Sequence, residues 1–118
     1  YMAPAVSTLA AYAAGLTVAD PNTSLWTNAG GRRITSGPEF VELMVNQVKS
    51  PVRWDLCMQT LGAQGVTGVI EVAPAGTLVG LIKRAIPTIE QCALKSPAEI
   101  YLSNTFATTH SRNEARGN

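Results

Sequence analysis

The sequence carries almost no net charge and nothing that marks a metal or redox protein. Its nine Lys and Arg stand against eight Asp and Glu, for a formal charge of +1. Because binding to nucleic acid or to an anionic membrane needs a basic footprint, we expect neither partner. The two cysteines, Cys57 and Cys92, lie in apolar stretches without CxxC or Cys/His ligand spacing. We expect two buried free thiols in a reducing cytoplasm, and no metal.

The sequence also lacks the marks of a signal peptide and of a membrane span. Residues 2–15 are rich in alanine, but no basic segment precedes them. Residues 66–86 are apolar, yet polar residues and a proline interrupt them before they reach the length of a span. A soluble protein is therefore expected. The interrupting residues are Glu71, Pro74, Lys83 and Arg84.

No self-contained catalytic motif is present, since HExxH, P-loop, GxGxxG and GxSxG patterns are all missing. The single histidine, His110, has no carboxylate or nucleophile at a recognisable spacing. It lies in residues 101–118, which are polar and show no sustained helical or strand period. We predict a disordered tail there, with His110 facing solvent.

The first half of the chain predicts a helix, two short strands and two further helices. Apolar residues at three- and four-residue steps place one face of a helix over residues 2–16. Strands are predicted at 25–28 and 33–35, on either side of a Gly-Gly turn. Ser36 with Pro38 and Glu39 has the form of a capping box that begins the second helix, and Ser50 with Pro51 that of a cap for the third. The predicted core face of the first helix comprises Met2, Val6, Leu9, Ala13 and Leu16.

The second half predicts alternating strands and helices. Residues 66–72 are β-branched and bounded by glycine and proline, as in a strand buried on both faces of a sheet. A helix over 77–85 and a strand over 88–94 come next, so that the order is that of an α/β layer. The turn Pro74–Thr77 begins that helix, where amides could receive an anion, although a tight turn needs the same residues. Arg53 and the Lys83–Arg84 pair could likewise contact an anionic partner or simply face water.

Several segments carry a resemblance to a known family. Residues 47–54 read Gln-Val-Lys-Ser-Pro-Val-Arg-Trp, and residues 70–84 read Ile-Glu-Val-Ala-Pro-Ala-Gly-Thr-Leu-Val-Gly-Leu-Ile-Lys-Arg. They are similar to the Gln-x-x-x-Pro-Val-x-Trp and Glu-Val-Gly-Pro-Gly-x-x-Leu-x-Gly-Leu-x-Lys-Arg segments of bacterial malonyl-CoA:acyl carrier protein transacylases and of related polyketide synthase acyltransferase domains. Residues 2–5, Met-Ala-Pro-Ala, resemble the segment directly after the family's Phe-His-Thr signature, and Asn28 resembles the asparagine of its Ser-Asn-x-x-Gly turn. The sequence up to about Ile100 thus resembles the C-terminal third of these enzymes.

The resemblance implies both a fold and an activity. Residues 1–100 would form the C-terminal part of an acyltransferase domain, an α/β fold with an α/β-hydrolase-like core in which helices pack on a few mostly parallel strands. The parent would be an S-malonyltransferase of fatty acid biosynthesis, which moves a malonyl group from coenzyme A to the pantetheine thiol of acyl carrier protein through an acyl-serine. Its partners would be malonyl-CoA and acyl carrier protein. No cofactor is implied, and the parent is expected to be a cytoplasmic monomer.

The resemblance also assigns one catalytic role within this chain. Gln47 would accept, through its backbone carbonyl, the imidazole N–H of the catalytic histidine and so fix the tautomer of that ring. The histidine is expected just before Tyr1, with the serine elbow and the malonyl-binding arginine further upstream. The chain by itself is therefore expected to be inactive. Because the role belongs to the backbone, Gln47→Ala should act through local geometry.

The sequence leaves open two interpretations other than a fragment of an enzyme. The chain could be a non-catalytic module that binds carrier protein or complements a separate N-terminal chain. It could also be a structural domain whose similarity is accidental, but that reading must explain several matches in the right order.

Overall fold

The computed structural model describes residues 2–114 of the chain, which divide into two compact units. The first unit runs up to Thr60 and the second begins at Leu61. None of the described helices is long and apolar enough to cross a bilayer. The elements are α1 (Ala3–Ala13), β1 (Leu25–Trp26), β2 (Arg33–Ile34), α2 (Gly37–Gln47), α3 (Trp54–Ala63), β3 (Gly68–Val72), α4 (Thr77–Ala85), β4 (Glu90–Leu94), a 3-10 turn (Pro97–Glu99) and α5 (Ile100–Glu114).

A short hairpin and the packing of α1 on α2 form the first unit. Strands β1 and β2 are antiparallel, with Leu25 opposite Ile34. Both are shorter than predicted, because the chain already turns at Thr27: its hydroxyl accepts from the Ala29 amide at 3.1 Å and its carbonyl from the Gly31 amide at 2.8 Å. The buried apolar residues of this unit are Ala13, Ile34, Val45 and Cys57.

Of the two hydrogen bonds in the capping box predicted for α2, the one to the serine side chain is confirmed. Ser36 Oγ accepts from the Glu39 amide at 3.4 Å, which satisfies one of the unpaired donors of the first turn. The Glu39 carboxylate pairs instead with the Arg32 guanidinium at 2.6 Å. Asp20 supplies a second partner, since its Oδ1 accepts from the Gly37 amide at 2.8 Å. The start of α2 is thus held from both the hairpin and the preceding loop.

The predicted start of the third helix is wrong. Helix α3 begins at Trp54, whereas Ser50 and Pro51 lie in the connection before it. The Ser50 hydroxyl donates back to the Asn46 carbonyl at 2.8 Å, so it closes α2. The first carbonyl of α3 is that of Arg53, which accepts from the Cys57 amide at 3.2 Å. A serine before a proline suits the end of one helix as well as the start of the next.

The second unit is built on two parallel strands joined through α4. Strands β3 and β4 pair in parallel, with Gly68 opposite Glu90 and Val72 opposite Leu94, and the helical crossover is what a parallel pair requires. The predicted α/β fold with helices on parallel strands is confirmed in this sheet. Burial of β3 on both faces is not found in the described residues, since Val72 is 68% exposed and Ile70 37%.

Helix α4 has its N-terminus occupied by a carboxylate of the same unit. The carboxylate of Glu71, on β3, accepts from the amides of Gly76 at 2.8 Å, Leu78 at 3.1 Å and Val79 at 3.1 Å. These hydrogen bonds, above all the one from Gly76, hold the pKa of Glu71 below its usual range. A charged acceptor at a helix N-terminus also complements the helix dipole. The carboxylate therefore joins the sheet to its crossover helix.

Helix α5 occupies most of the region in which the sequence predicts a disordered tail. It packs on β3 and β4, and a carboxylate caps the turn before it: Glu99 Oε2 accepts from the Ser96 amide at 3.0 Å. The inner stripe of α5 consists of Ser103, Phe106 and His110, at three- and four-residue steps. Because only one of these side chains is apolar, hydrophobic periodicity does not reveal the helix. Residues 115–118 of the predicted tail lie outside the described residues.

Replacing Gly31 by alanine should destabilise the first unit. Gly31 has φ of 66°, and an added Cβ would lie 2.6 Å from the Leu56 carbonyl oxygen. Backbone strain and overpacking together should cost about 1–3 kcal/mol. Urea unfolding followed by tryptophan fluorescence measures this, because Trp26 and Trp54 both lie in the first unit. The neighbouring Gly30→Ala is the control, since nothing described lies within 4 Å of its added Cβ; equal losses in the two variants would contradict the argument.

Glu71→Gln should lower the stability of the chain and make the stability of the variant fall less at acidic pH. The folded-state pKa of Glu71 lies below the ordinary value of 4.5. Its stabilisation is therefore complete above that ordinary pKa and is lost as the pH falls through the lowered one. Thermal unfolding followed by circular dichroism between neutral and acidic pH measures the difference. Glu42→Gln, at an exposed position of α2, makes the same charge change; an acid dependence unaltered by Glu71→Gln would refute the role of the cap.

Candidate functional site

Gln47, the predicted site residue, is the last residue of α2 and is half-buried. Its carbonyl oxygen accepts from the Ser50 amide at 3.1 Å. Continuation of the helix would give it a second donor, the amide four residues on. That residue is Pro51, which has no N–H. One lone pair of the Gln47 carbonyl is thus left without a backbone donor from the helix.

The side chain of Gln47 fixes the turn after its own carbonyl. Its Nε2 donates to the Ser50 carbonyl at 3.2 Å and to the Pro51 carbonyl at 3.1 Å. The last turn of α2 and the connection to α3 are thereby tied to one residue. A substitution at Gln47 would free this turn, which is the structural basis for expecting its effect through local geometry. The catalytic role of the carbonyl itself stays a prediction.

A mostly apolar cavity of about 320 Å³ lies beside Gln47, between the hairpin and α2. Aromatic and aliphatic side chains make up most of its wall, with two amide side chains among them. Such a lining suits an apolar group or a packed neighbour, with few polar contacts to orient it. The residues that define it include Trp26, Asn28, Phe40, Met44, Gln47 and Val48.

Asn28 and Cys57 connect the hairpin to the start of α3. The Asn28 carbonyl accepts from the Arg53 amide at 2.9 Å. The Cys57 sulfur lies 3.6 Å from the Thr27 carbonyl oxygen and 3.7 Å from Asn28 Oδ1. Burial raises the pKa of the Cys57 thiol, and the Asp55 carboxylate adds to the shift. The raised pKa disfavours the thiolate, which is the nucleophilic form of a cysteine.

The second cysteine is also free. Cys92 is half-buried, with its sulfur 3.5 Å from the Ser103 hydroxyl oxygen. The prediction of free thiols is confirmed for both, and that of full burial for Cys57 alone. Among the side chains that the structure describes, no three His, Cys, Asp or Glu lie close enough together to hold a metal ion.

The turn Pro74–Thr77 is not an open anion site. The amides of Gly76, Leu78 and Val79 donate to Glu71, so the first turn of α4 already has its acceptor. Arg53 is also occupied, since its Nε and Nη2 donate to the two carboxylate oxygens of Asp55 at 2.9 and 2.7 Å. This pairing raises the pKa of Arg53 and lowers that of Asp55.

The remaining basic candidates lie at the end of α4. Lys83 and Arg84 are exposed in its last turn. Cations there interact favourably with the carbonyl end of the helix, which accounts for them without a ligand.

His110 was predicted to face solvent, and that prediction is wrong. Its side chain is 15% exposed, and its Nδ1 lies 2.8 Å from the Thr67 hydroxyl oxygen. Its Nε2 lies 3.4 Å from Glu90 Oε2. Both partners are distant along the chain, so no local spacing could reveal them. One signal in the sequence could have revealed that His110 is buried: Ser103, Phe106 and His110 follow one another at three- and four-residue steps, which places them on one face of a helix.

Comparison with known proteins finds relatives that match most of the chain. No family model matches it. A malonyl CoA-acyl carrier protein transacylase of Mycobacterium bovis is 43% identical over 100 residues, which make up 85% of this chain and 33% of that protein. The crystal structure of MCAT from Mycobacterium tuberculosis matches with a TM-score of 0.76 at 44% identity, over 82% of this chain and 32% of that one.

A third match is a complex, described as a type II PKS acyl-carrier protein with its malonyl-transacylase. Its TM-score is 0.74 at 28% identity, over 85% of this chain and 32% of that one. This chain spans about a third of the length of the relatives that it matches. The resemblance predicted from the sequence is confirmed: over that third, the chain is similar in sequence and in fold to malonyl CoA-acyl carrier protein transacylases.

Proposed function

We propose that this chain is part of an S-malonyltransferase that moves a malonyl group from coenzyme A to the pantetheine thiol of acyl carrier protein. The observation that carries the proposal is the agreement of sequence and fold over most of the chain, at 43% identity with one relative and a TM-score of 0.76 with another. The transfer would proceed through an acyl-serine, with a histidine as general base and acid. The serine, that histidine and the arginine for the malonyl carboxylate would be supplied from outside these 118 residues.

The contribution of this chain to the chemistry would come from the Gln47 carbonyl. It would accept the N–H of the catalytic imidazole, so that the other ring nitrogen faces the serine as base. Three features of the site support this role: the helix end, the missing amide at Pro51 and the side-chain clamp on the turn. The carbonyl end of a helix also favours the imidazolium that forms when the serine gives up its proton.

The proposal also covers the two substrates of the transfer, the domain to which the chain belongs and its cellular compartment. Malonyl-CoA and acyl carrier protein would be the two substrates, and the matched complex of a malonyl-transacylase with an acyl carrier protein supports the second. Residues 1–100 would belong to the acyltransferase domain of a longer protein. That protein would act as a monomer in the cytoplasm, in fatty acid biosynthesis.

The isolated chain should form no covalent malonyl adduct. Incubated with malonyl-CoA and examined by intact mass spectrometry, it should keep its unmodified mass, because the nucleophile lies elsewhere and Cys57 is protonated and buried. A transacylase that contains the serine elbow is the positive control, and should gain one malonyl group. A stoichiometric adduct on the 118-residue chain would overturn the assignment of the nucleophile.

Pro51→Ala, introduced into the full-length transacylase, should lower kcat for malonyl transfer by about tenfold, or about 1.4 kcal/mol. The new amide at residue 51 could donate to the Gln47 carbonyl and compete with the imidazole. The KM for malonyl-CoA should change little, because the carbonyl does not touch the substrate. Pro38→Ala, at the other end of α2, is the matched control and should leave kcat unchanged. An unaltered kcat in Pro51→Ala would argue against the role of the carbonyl.

A further inference from the structure

The last hydrogen bonds of α2 span three residues instead of four. In a regular α-helix, the Ser50 amide would donate to the carbonyl four residues earlier, which is that of Asn46. It donates instead to the Gln47 carbonyl, three residues earlier, at 3.1 Å, and the Lys49 amide donates to the Asn46 carbonyl at 3.3 Å. Hydrogen bonds of this kind close a tighter, 3-10-type turn. The Gln47 carbonyl therefore belongs to that turn and not to the regular helix.

The Ser50 side chain bonds the acceptor that its own amide has left. Its hydroxyl donates to the Asn46 carbonyl at 2.8 Å, a normal length for an O–H···O hydrogen bond. Serine hydroxyls can bond the carbonyl four residues earlier in a helix. Here the hydroxyl takes the position that the amide of the same residue has in an α-helix. Because the Asn46 carbonyl is satisfied in this way, the Ser50 amide can bond Gln47.

A third hydrogen bond ties Ser50 to the end of α2. Gln47 Nε2 donates to the Ser50 carbonyl at 3.2 Å. The amide, the hydroxyl and the carbonyl of Ser50 are thus all bonded to Asn46 and Gln47, the last two residues of the helix. The far end of the connection is held as well, since the Arg53 amide donates to the Asn28 carbonyl at 2.9 Å. The direction of the Gln47 carbonyl therefore depends on the hydrogen bonds that Ser50 makes.

Removing the hydroxyl would remove the reason for this turn. With alanine at residue 50, the Asn46 carbonyl loses its donor at 2.8 Å. The amide of residue 50 can then return to Asn46 in an α-helical hydrogen bond. The Gln47 carbonyl would lose its backbone donor and turn towards the helix axis. A hydrogen bond to that carbonyl weakens as its angle departs from the ideal geometry.

We propose that Ser50 is a positioning residue for malonyl transfer, an inference that rests on the proposed function. By bonding Asn46, its hydroxyl fixes the direction in which the Gln47 carbonyl meets the catalytic imidazole. Ser50 itself contacts neither the substrate nor the imidazole, and acts through Gln47. Turning the carbonyl weakens one hydrogen bond without removing it, so losing the hydroxyl should lower kcat by roughly three- to fivefold.

The test compares two changes at residue 50 of the full-length transacylase. Ser50→Ala should lower kcat by roughly three- to fivefold and leave the KM for malonyl-CoA within about twofold of its native value. Ser50→Thr should restore kcat, because threonine makes the same bond elsewhere in this chain: the Thr108 hydroxyl donates to the Asn104 carbonyl at 2.9 Å. Ser111→Ala is the control and should leave kcat unchanged. It removes a serine hydroxyl that donates to the Thr108 carbonyl at 3.2 Å, in α5.

A double-mutant cycle with Pro51→Ala separates an effect through Gln47 from an unrelated loss of activity. Both single changes act on the same carbonyl, so their effects on kcat should not multiply. The kcat of Ser50→Ala/Pro51→Ala should stay within about twofold of that of Pro51→Ala alone. Two independent effects would multiply instead. Circular dichroism of each variant checks that the protein is folded, as expected for a change at a half-buried hydroxyl.

The outcomes distinguish this inference from the proposed function. If Pro51→Ala lowers kcat and Ser50→Ala does not, the positioning role of Ser50 is refuted and the role of the carbonyl stands. The positioning role is also refuted if Ser50→Thr fails to restore kcat, or if the effects of the two alanine changes multiply. No effect from either single change would overturn the roles of the carbonyl and of Ser50 together. A full-length protein that does not transfer malonyl groups would overturn the proposed function itself.

Discussion

The ends of the helices impose the constraint on which the rest of this structure depends. Each helix leaves backbone amides at its start and carbonyls at its end without a helical partner, and a small domain has little buried surface to offset such losses. At the starts of α2, of α4 and of the turn into α5, side chains accept some of these amides. Ser36 and Asp20 serve α2, Glu71 serves α4, and Glu99 serves the turn into α5. Three of these four acceptors are carboxylates, so the stabilisation of these helix starts is partly electrostatic.

The same constraint explains why one residue stands out as a site. At the end of α2, the Gln47 carbonyl accepts from the Ser50 amide but has no donor four residues on, because that residue is a proline. Elsewhere such a group would face water or a cap. Here the Gln47 side chain holds the turn around it and leaves the carbonyl itself with a free lone pair. A backbone group placed in this way can orient a partner without carrying a charge of its own.

Much of the fold could be predicted from the sequence, because it is encoded locally. The cap at Ser36 and the order of strands and helices from β3 to β4 depend on residues within a few positions of one another. The start of α3 could not, since the Ser50 hydroxyl has two possible partners and turns back to Asn46. Helix α5 was not predicted because two of the three side chains on its inner face are polar. His110 on that face contacts Thr67 and Glu90, which are far away in sequence. The candidate site at Gln47 came from family resemblance, whereas the missing second donor to its carbonyl could have been predicted from Pro51 alone.

The distribution of sulfur has a practical consequence for following how this chain folds. Each compact unit contains one thiol, Cys57 in the first and Cys92 in the second, and neither is tied up in a disulfide. Cys57 is shielded and holds its proton, so an alkylating reagent reaches it only when the first unit opens. Cys92 is half-buried against Ser103 of α5, so its reaction reports on the contact of β4 with α5. Pulses of such a reagent would therefore time the opening of the two halves separately, within one molecule and without any added label.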